Sequence, residues 1–300
     1  MRNEIIRTAC RSLYDQQKLR VSVGNRICAA FRVKLGLESS EAEEENPDAS
    51  KLLKELRAEA KRITDSVKKV TKNTPCDSPL ITTISELALL NAYEKMLDSE
   101  HEHEKALMYE LSREPIWTEY LVNVRGVGPL MAGVMLSEID IHKCNSISAL
   151  QKYAGLDVIT YEDDEGVTHE EGRCREKRHL IPKTYTNRKG EVKETVGITF
   201  NPFLKTKLVG VLADVILRLG GPYKDIYDGY KHRLANHPKH KDKTPLHRHN
   251  MAKRYAIKQL LADLWREWRI LEGLPVKGTY AEDVLGIVHH TKIELRTRLN

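Results

Sequence analysis

The chain of 300 residues carries 49 Lys and Arg against 43 Asp and Glu, a formal net charge of +6, with 40% hydrophobic and 31% charged residues. That apolar content is enough for one large or two modest buried cores, and no apolar run approaches the roughly 18 residues a membrane helix needs. Met1-Arg2-Asn3-Glu4 lacks the apolar segment of a signal peptide, and Cys10, Cys28, Cys76, Cys144 and Cys174 form no Cys-x-x-Cys pair, so a cytoplasmic protein without membrane partner, disulfide framework or zinc knuckle is expected.

From Glu4 to about Leu35 the apolar positions Ile5, Cys10, Leu13, Ile27 and Phe31 recur at helical spacing, interrupted at Val21-Ser22-Val23-Gly24. This predicts one kinked helix or two short ones. Residues 37–49 form an acidic connector, and a second helix is expected over residues 51–72 with Leu52, Leu56, Ile63, Val67 and Val70 along one stripe. Pro75 and Pro79 interrupt the pattern, and Ser78 is the expected cap of a third helix ending near Leu111. On that helix Glu100-His101-Glu102-His103-Glu104 invites a metal reading, but successive residues fan out by about 100° each, so a solvated charged face is expected instead. Residues 1–112 therefore read as a helical, coiled-coil-like platform, the kind of surface through which a homo-oligomer would assemble.

The second part, residues 113–300, is organised around Val124-Arg125-Gly126-Val127-Gly128-Pro129. Two glycines followed by proline can turn tightly, point amides outward and lead into a helix whose positive end favours an anion. Arg125, Gly126, Val127 and Gly128 are accordingly the expected seat for a nucleic-acid phosphate, with Gly128 held to be intolerant of a side chain for steric and conformational reasons. Further along come Ile147 to Leu156, ending Tyr153-Ala154-Gly155-Leu156, then the basic run Gly172-Arg173-Cys174-Arg175-Glu176-Lys177-Arg178, then Asn201-Pro202-Phe203-Leu204-Lys205-Thr206-Lys207-Leu208.

These blocks, from about Trp117 to about Arg269, resemble the C-terminal domain of insertion-sequence transposases of the one-ten group, relatives of the Piv-type DNA invertases. The spacing Gly126, Gly128, Ala132, Leu136 resembles their helix-hairpin-helix module. The resemblance implies DNA as partner, transposition or recombination as context, and backbone contacts from the hairpin, from Arg173, Arg175, Lys177 and Arg178, and from Lys205 and Lys207. Two family parts have no counterpart: residues 1–112 lack a strand-then-acid nuclease pattern, and Glu171-Gly172 stands where a Ser-Gly pair is expected, with no serine after Ser148. The catalytic nucleophile is therefore unassigned, and a non-enzymatic assembly protein is the competing class. A metal-dependent nuclease using acids near 157–171, with Asp164 and Glu171 as candidates and Mg²⁺ as its ion, is the third; no cofactor is expected on the leading reading.

Between 156 and 200, short β-forming runs around Asp163-Asp164-Glu165-Gly166 and Asn187-Arg188-Lys189-Gly190 predict a small insertion of two β-hairpins. Asn201-Pro202 starts a helix to Leu219, and Gly220-Gly221-Pro222 ends it and begins the next. Residues 231–258 carry nine Lys or Arg, among them Lys231, Arg233, Arg248, Arg254 and Lys258, against the single acid Asp242. This is a candidate polyanion face. Thr244-Pro245 opens a last long helix, placing Arg248 of His247-Arg248-His249-Asn250 on its first turn as a phosphate ligand. That helix buries Ile257, Leu260, Leu261, Leu264, Trp268 and Leu271, leaves Lys258, Arg266 and Arg269 outside, and precedes a short helix from Tyr280. The expected architecture is mostly α, with a helical N-terminal platform, a helix-hairpin-helix core and a small β-hairpin insertion.

Overall fold

A computed structural model describes residues 3–37 and 50–278. Most of the acidic connector and the expected helix from Tyr280 lie outside the described residues. The protein is mostly α-helical, with two small antiparallel hairpins. It divides into two compact units, one of Thr8–Tyr109 and one of Met1–Arg7 with Glu110–Asn300, where the sequence suggested a boundary at 112/113. No helix among the described residues is long and apolar enough to cross a membrane.

In the first unit, α1 (Asn3–Leu35) runs without the expected break at residues 21–24. Gly24 in a helix interior costs about 1 kcal/mol, whereas fully burying a side chain such as Ile27 or Phe31 contributes about 1.5–3 kcal/mol. Both are buried in one cluster with Leu53, Leu56, Ile63, Leu87 and Leu90, so packing overrides propensity. Helix α2 (Lys51–Asp65) starts at Ser50, whose hydroxyl accepts from the Leu53 amide, and stops short of residue 72. There the Ser66 hydroxyl donates to the Ile63 carbonyl at 2.7 Å, a local bond that competes with continuing the helix.

Helix α3 (Ile84–Leu111) is not capped by Ser78. The Ser78 hydroxyl accepts from the Leu80 and Ile81 amides in the preceding loop, while Thr83 and Glu86 form the cap: the Thr83 hydroxyl accepts from the Glu86 amide at 3.3 Å and Glu86 accepts from the Thr83 amide at 3.2 Å. The His101–Glu104 and Lys105–Glu102 pairs and the His103 ring contact to Ser99 are separate local bonds along α3, so the acid–histidine run brings no ligand set together.

The second unit opens with a π-helical turn (Ile116–Tyr120), a 3₁₀ turn (Leu121–Asn123) and the glycine hairpin. Helices α4 (Pro129–Glu138) and α5 (Ile147–Tyr153) follow, the second capped by Ser146. Strands β1 (Val158–Glu162) and β2 (Thr168–Gly172) pair with Val158 opposite Gly172, and β3 (Ile181–Thr186) and β4 (Val192–Gly197) pair with Ile181 opposite Gly197. The helix expected to run from Asn201 to Leu219 is instead α6 (Pro202–Lys207), a π-helical segment (Leu208–Leu212) and α7 (Ala213–Leu219). Helices α8 (Pro222–Asn236) and α9 (Pro245–Leu271) pack along each other.

Helix α9 carries the core of this unit. Ile257, Leu260, Leu261, Leu264 and Trp265 are fully buried, and the Trp265 indole N–H donates to the Cys144 carbonyl at 2.7 Å. Arg269, expected outside, is buried. Its guanidinium donates to the carbonyls of Ile141, Cys144 and Pro275, three acceptors that a five-donor fork can satisfy at once. Two buried phenols and a half-buried carboxylate, Tyr120 to Tyr223 at 3.2 Å and Tyr223 donating to Asp263 at 3.0 Å, tie the turn before the hairpin to α8 and α9. Burial holds the Tyr223 phenol well above its ordinary pKa of 10.0.

Candidate nucleic-acid interface

The hairpin closes through the Val127 amide, which donates to the Val124 carbonyl at 3.0 Å, and both valines are buried. Gly126 is the left-handed residue (φ +97°); a β-carbon there would lie 3.1 Å from Cγ1 of Ile216 on α7. Gly128 is different from expectation. It is extended (φ −93°), forms the N-cap of α4, and faces open space with nothing within 4 Å of where a β-carbon would lie. The steric and conformational demand for glycine therefore rests on Gly126, which fits against α7, and not on Gly128. Arg125 and Gly128 are exposed, and neither the Arg125 guanidinium nor the Gly126 and Gly128 amides have a partner among the described residues.

A second glycine turn lies beside the first. Gly220 (φ +78°) and Gly221 (φ +109°) lead into Pro222 and α8, and a β-carbon on Gly221 would sit 3.5 Å from Cδ of Arg125. The Arg125 side chain, three residues before the Gly128-Pro129 helix start, thus lies against a second helix start of the form Gly-Pro some ninety residues later. The sequence shows Gly220-Gly221-Pro222 as punctuation between helices; its repetition of the Gly128-Pro129 pattern was the available signal for a second element of the same surface.

Two further sequence blocks meet at Asn201. Its side-chain amide donates to the Tyr153 hydroxyl at 3.0 Å and to Glu138 at 2.6 Å, its backbone amide donates to the Tyr153 carbonyl at 2.8 Å, and its Oδ1 accepts from Leu204 to cap α6. Gly155 (φ +67°) lies directly under Phe200, whose ring would be 2.6 Å from a β-carbon. The Tyr153-Ala154-Gly155-Leu156 and Asn201-x-x-Leu204 segments are therefore one packed unit.

The cations named from sequence separate into two groups. Arg125, Arg175 and Lys177 are exposed, with no hydrogen-bond or ion-pair partner for their side chains among the described residues. The others are engaged. Arg173 forms a fork on Asp157 (2.7 and 3.1 Å), and Arg178 binds Glu171 and Glu176 while lying over the Tyr161 ring. Lys205 donates to the Arg173 carbonyl, and Lys207 lies over the Phe203 ring. Arg254 donates to the carbonyls of Gly155 (3.3 Å) and Asp157 (3.4 Å). Arg248 folds back onto the carbonyls of Lys241 and Lys243, both 2.6 Å, instead of facing outward from the first turn of α9.

The basic stretch 231–258 is likewise partly neutralised: Lys239 pairs with Glu170 and Lys253 with Asp214, while Arg233 lies against the stacked rings of Tyr230 and Tyr255. Lys258 is half-buried, and its ammonium has no partner among the described residues.

The acids after Leu156 do not converge on an ion. Asp163 closes its own turn by accepting from the Glu165 and Val167 amides and from His169, contacts that hold its carboxyl below the ordinary range. Asp157, Glu170 and Glu171 are each paired with a base, while Glu162, Asp164 and Glu165 are exposed with no side-chain partner among the described residues.

Glu171, Cys174 and His179 do bring ligand-type atoms within 4.8 Å of one another. His179 is buried, however, and its Nδ1 accepts from the Cys174 amide at 2.7 Å. The neutral ring then carries its proton on Nε2, the atom that faces Glu171 at 3.4 Å and Cys174 Sγ at 4.0 Å. A histidine that binds metal through Nε2 normally donates from Nδ1 to an acceptor; here Nδ1 meets a donor, so the set fits a hydrogen-bonded clasp and not a metal centre. The arrangement as a whole offers unpartnered amides, exposed guanidinium and ammonium groups and a half-buried group of cations, which suits contact with phosphate oxygens. Set against protein-family models, curated proteins and solved structures, the chain matches none of them.

Proposed function

We propose that the protein binds the backbone of duplex DNA through the glycine hairpin, as a transposase-like protein acting in transposition or recombination, with DNA as its partner and without a nucleophile of its own. The observation that carries this reading is the hairpin itself. Gly126 and Val127 are fixed by α7 and the core, while the amides of Gly126 and Gly128 and the Arg125 guanidinium have no partner among the described residues. Groups of that kind hold phosphates without reading bases. The context of transposition rests on the resemblance of the hairpin, Tyr153–Leu156 and Asn201–Leu208 blocks to one-ten-group transposases. Asp157, Asp163, Glu170 and Glu171 are each held by a base or by a turn, and their engagement supports a binder over a metal-dependent nuclease.

The test is a salt series with duplex DNA of several sequences. The parent should bind all of them alike, with log K falling against log salt by about 0.9 for each phosphate contact, and Arg125→Ala should reduce that slope by about one contact. Absence of binding at low salt would remove the proposal and leave an assembly protein as the reading.

A further inference from the structure

The neck of the first hairpin holds more positive charge than its own acids can balance. The Arg173 amide donates to the Asp157 carbonyl at 3.0 Å and closes the neck. Arg254 enters it from α9, occupying the space where a side chain on Gly172 would begin, and Lys205 enters from α6 to reach the Arg173 carbonyl while lying 4.8 Å from the Phe200 ring centre. Lys258 stands one turn after Arg254 on the same helix, where residues four apart are neighbours. Asp157 is the carboxylate these cations share, and it is already held by the Arg173 fork; the nearby Glu171 is held by Arg178.

Carbonyls accept from Arg254 and Lys205 but carry no full negative charge, and the half-buried Lys258 ammonium has no acceptor among the described residues. Withdrawing a cation from water without an anion is costly, and the cost appears here in the basicity of all three. Burial lowers each of them, Lys205 to about 8, and Arg254 lowers Lys205 and Lys258 further.

We propose that this neck is a seat for one phosphate-type oxyanion, bound by Lys258 and Lys205 beside the guanidinium of Arg254. On the reading of the chain as a DNA-backbone binder, on which this step rests, the occupant is a single phosphodiester, separate from the contacts made at the Gly126–Gly128 hairpin. An anion there supplies the acceptor that Lys258 lacks. It also explains why cations from α6, α9 and the β2 exit converge on a neck with one shared carboxylate.

Two arms test the seat on the full chain. In the first, thermal midpoints are compared in sodium phosphate and in sodium chloride of equal ionic strength, for the parent, Lys258→Met and Lys258→Arg. Phosphate stabilises folded proteins generally, so the reading is the difference between variants. The parent and Lys258→Arg should gain more from phosphate than Lys258→Met, whose midpoint in chloride should equal or exceed the parent's because an unbalanced charge has been removed. Equal gains in all three would overturn the seat.

In the second arm, Lys258→Met should lower the duplex salt slope by about 0.9 relative to the parent. An unchanged slope beside a lost phosphate gain would show that the seat takes free phosphate and would overturn the phosphodiester. A retained phosphate gain in a parent that binds no duplex would defeat the DNA reading while upholding the oxyanion seat.

Discussion

Gly172 and Arg254 share one space: a β-carbon on the glycine would fall inside the arginine guanidinium, which from that position reaches the carbonyls of Gly155 and Asp157. The neck of the β1–β2 hairpin is thus held by a side chain from α9, some eighty residues later. Gly172→Ala should displace the far end of Arg254 and break those two bonds, costing about 1 kcal/mol, and Arg254→Met should cost a similar amount. Because both changes remove the same contacts, the double variant should be no less stable than the worse single one by more than a few tenths of a kcal/mol. Chemical denaturation of the three variants measures this, and additive losses would show that the two residues act separately.

The two hairpin glycines should respond differently. Gly126→Ala combines a left-handed backbone with a β-carbon 3.1 Å from Ile216, and a loss of about 1–2 kcal/mol is expected. Gly128→Ala meets no atom and keeps an extended backbone, so its cost should be limited to the N-cap preference, under about 1 kcal/mol. Gly128→Ala is therefore the folded variant in which to read DNA affinity. Equal thermal losses at both positions would contradict the packing of Gly126 on α7.

Lys205 gives the oxyanion seat a pH dependence. Burial, then Arg254, with Arg175 adding to it, depress its pKa from 10.5 to about 8 against the opposing pull of Cys174 and Asp157. With the folded value below the unfolded one, the unfolded chain retains more protons on this group between about pH 8 and 10.5. The contribution of Lys205 to stability therefore rises with pH through that window, while below pH 8 the burial of its charge opposes folding in full. Anion binding runs the other way. Affinity for duplex should fall between pH 7 and 9, the fall should shrink in Lys205→Arg, and it should persist in Cys174→Ser. A pH-independent parent would mean that Lys205 does not contribute to the seat.

Tyr223→Phe removes the middle member of the Tyr120–Tyr223–Asp263 chain and leaves the Tyr120 hydroxyl buried without that partner. A loss of about 1–3 kcal/mol is expected, against less for Tyr120→Phe, which removes an end of the chain. Comparable urea midpoints for Tyr223→Phe and the parent would show that the hydroxyl chain adds nothing to stability.

Much of the local structure was readable from the sequence because it depends on near neighbours. Asn201-Pro202 and Thr244-Pro245 cap their helices as their side chains dictate, and Gly166 and Gly190 close the two β-turns at positive φ. The stripe of α9 follows from its period. Where local signals misled, a stronger neighbour prevailed: packing of Ile27 and Phe31 carried α1 through Gly24, and the Thr83–Glu86 box set the start of α3 in place of Ser78. The capping box is legible in the letters Thr83-Ile84-Ser85-Glu86, where a Thr three residues before a Glu supplies both reciprocal bonds.

What the sequence determined by itself was the mostly helical architecture, the two-hairpin insertion and the presence of a glycine hairpin amid basic residues. These follow from periodicity, turn chemistry and charge, all of which act over a few residues. Only the tertiary structure decided which of those basic residues are free. Arg173, Arg178, Arg248 and Arg254 find carboxylates or carbonyls, Arg269 is buried among three carbonyls, and Arg125, Arg175, Lys177 and Lys258 are left without partners among the described residues. A guanidinium takes whichever acceptors the fold brings within about 3 Å, and those acceptors come from residues up to about a hundred and thirty positions away, which no local pattern encodes.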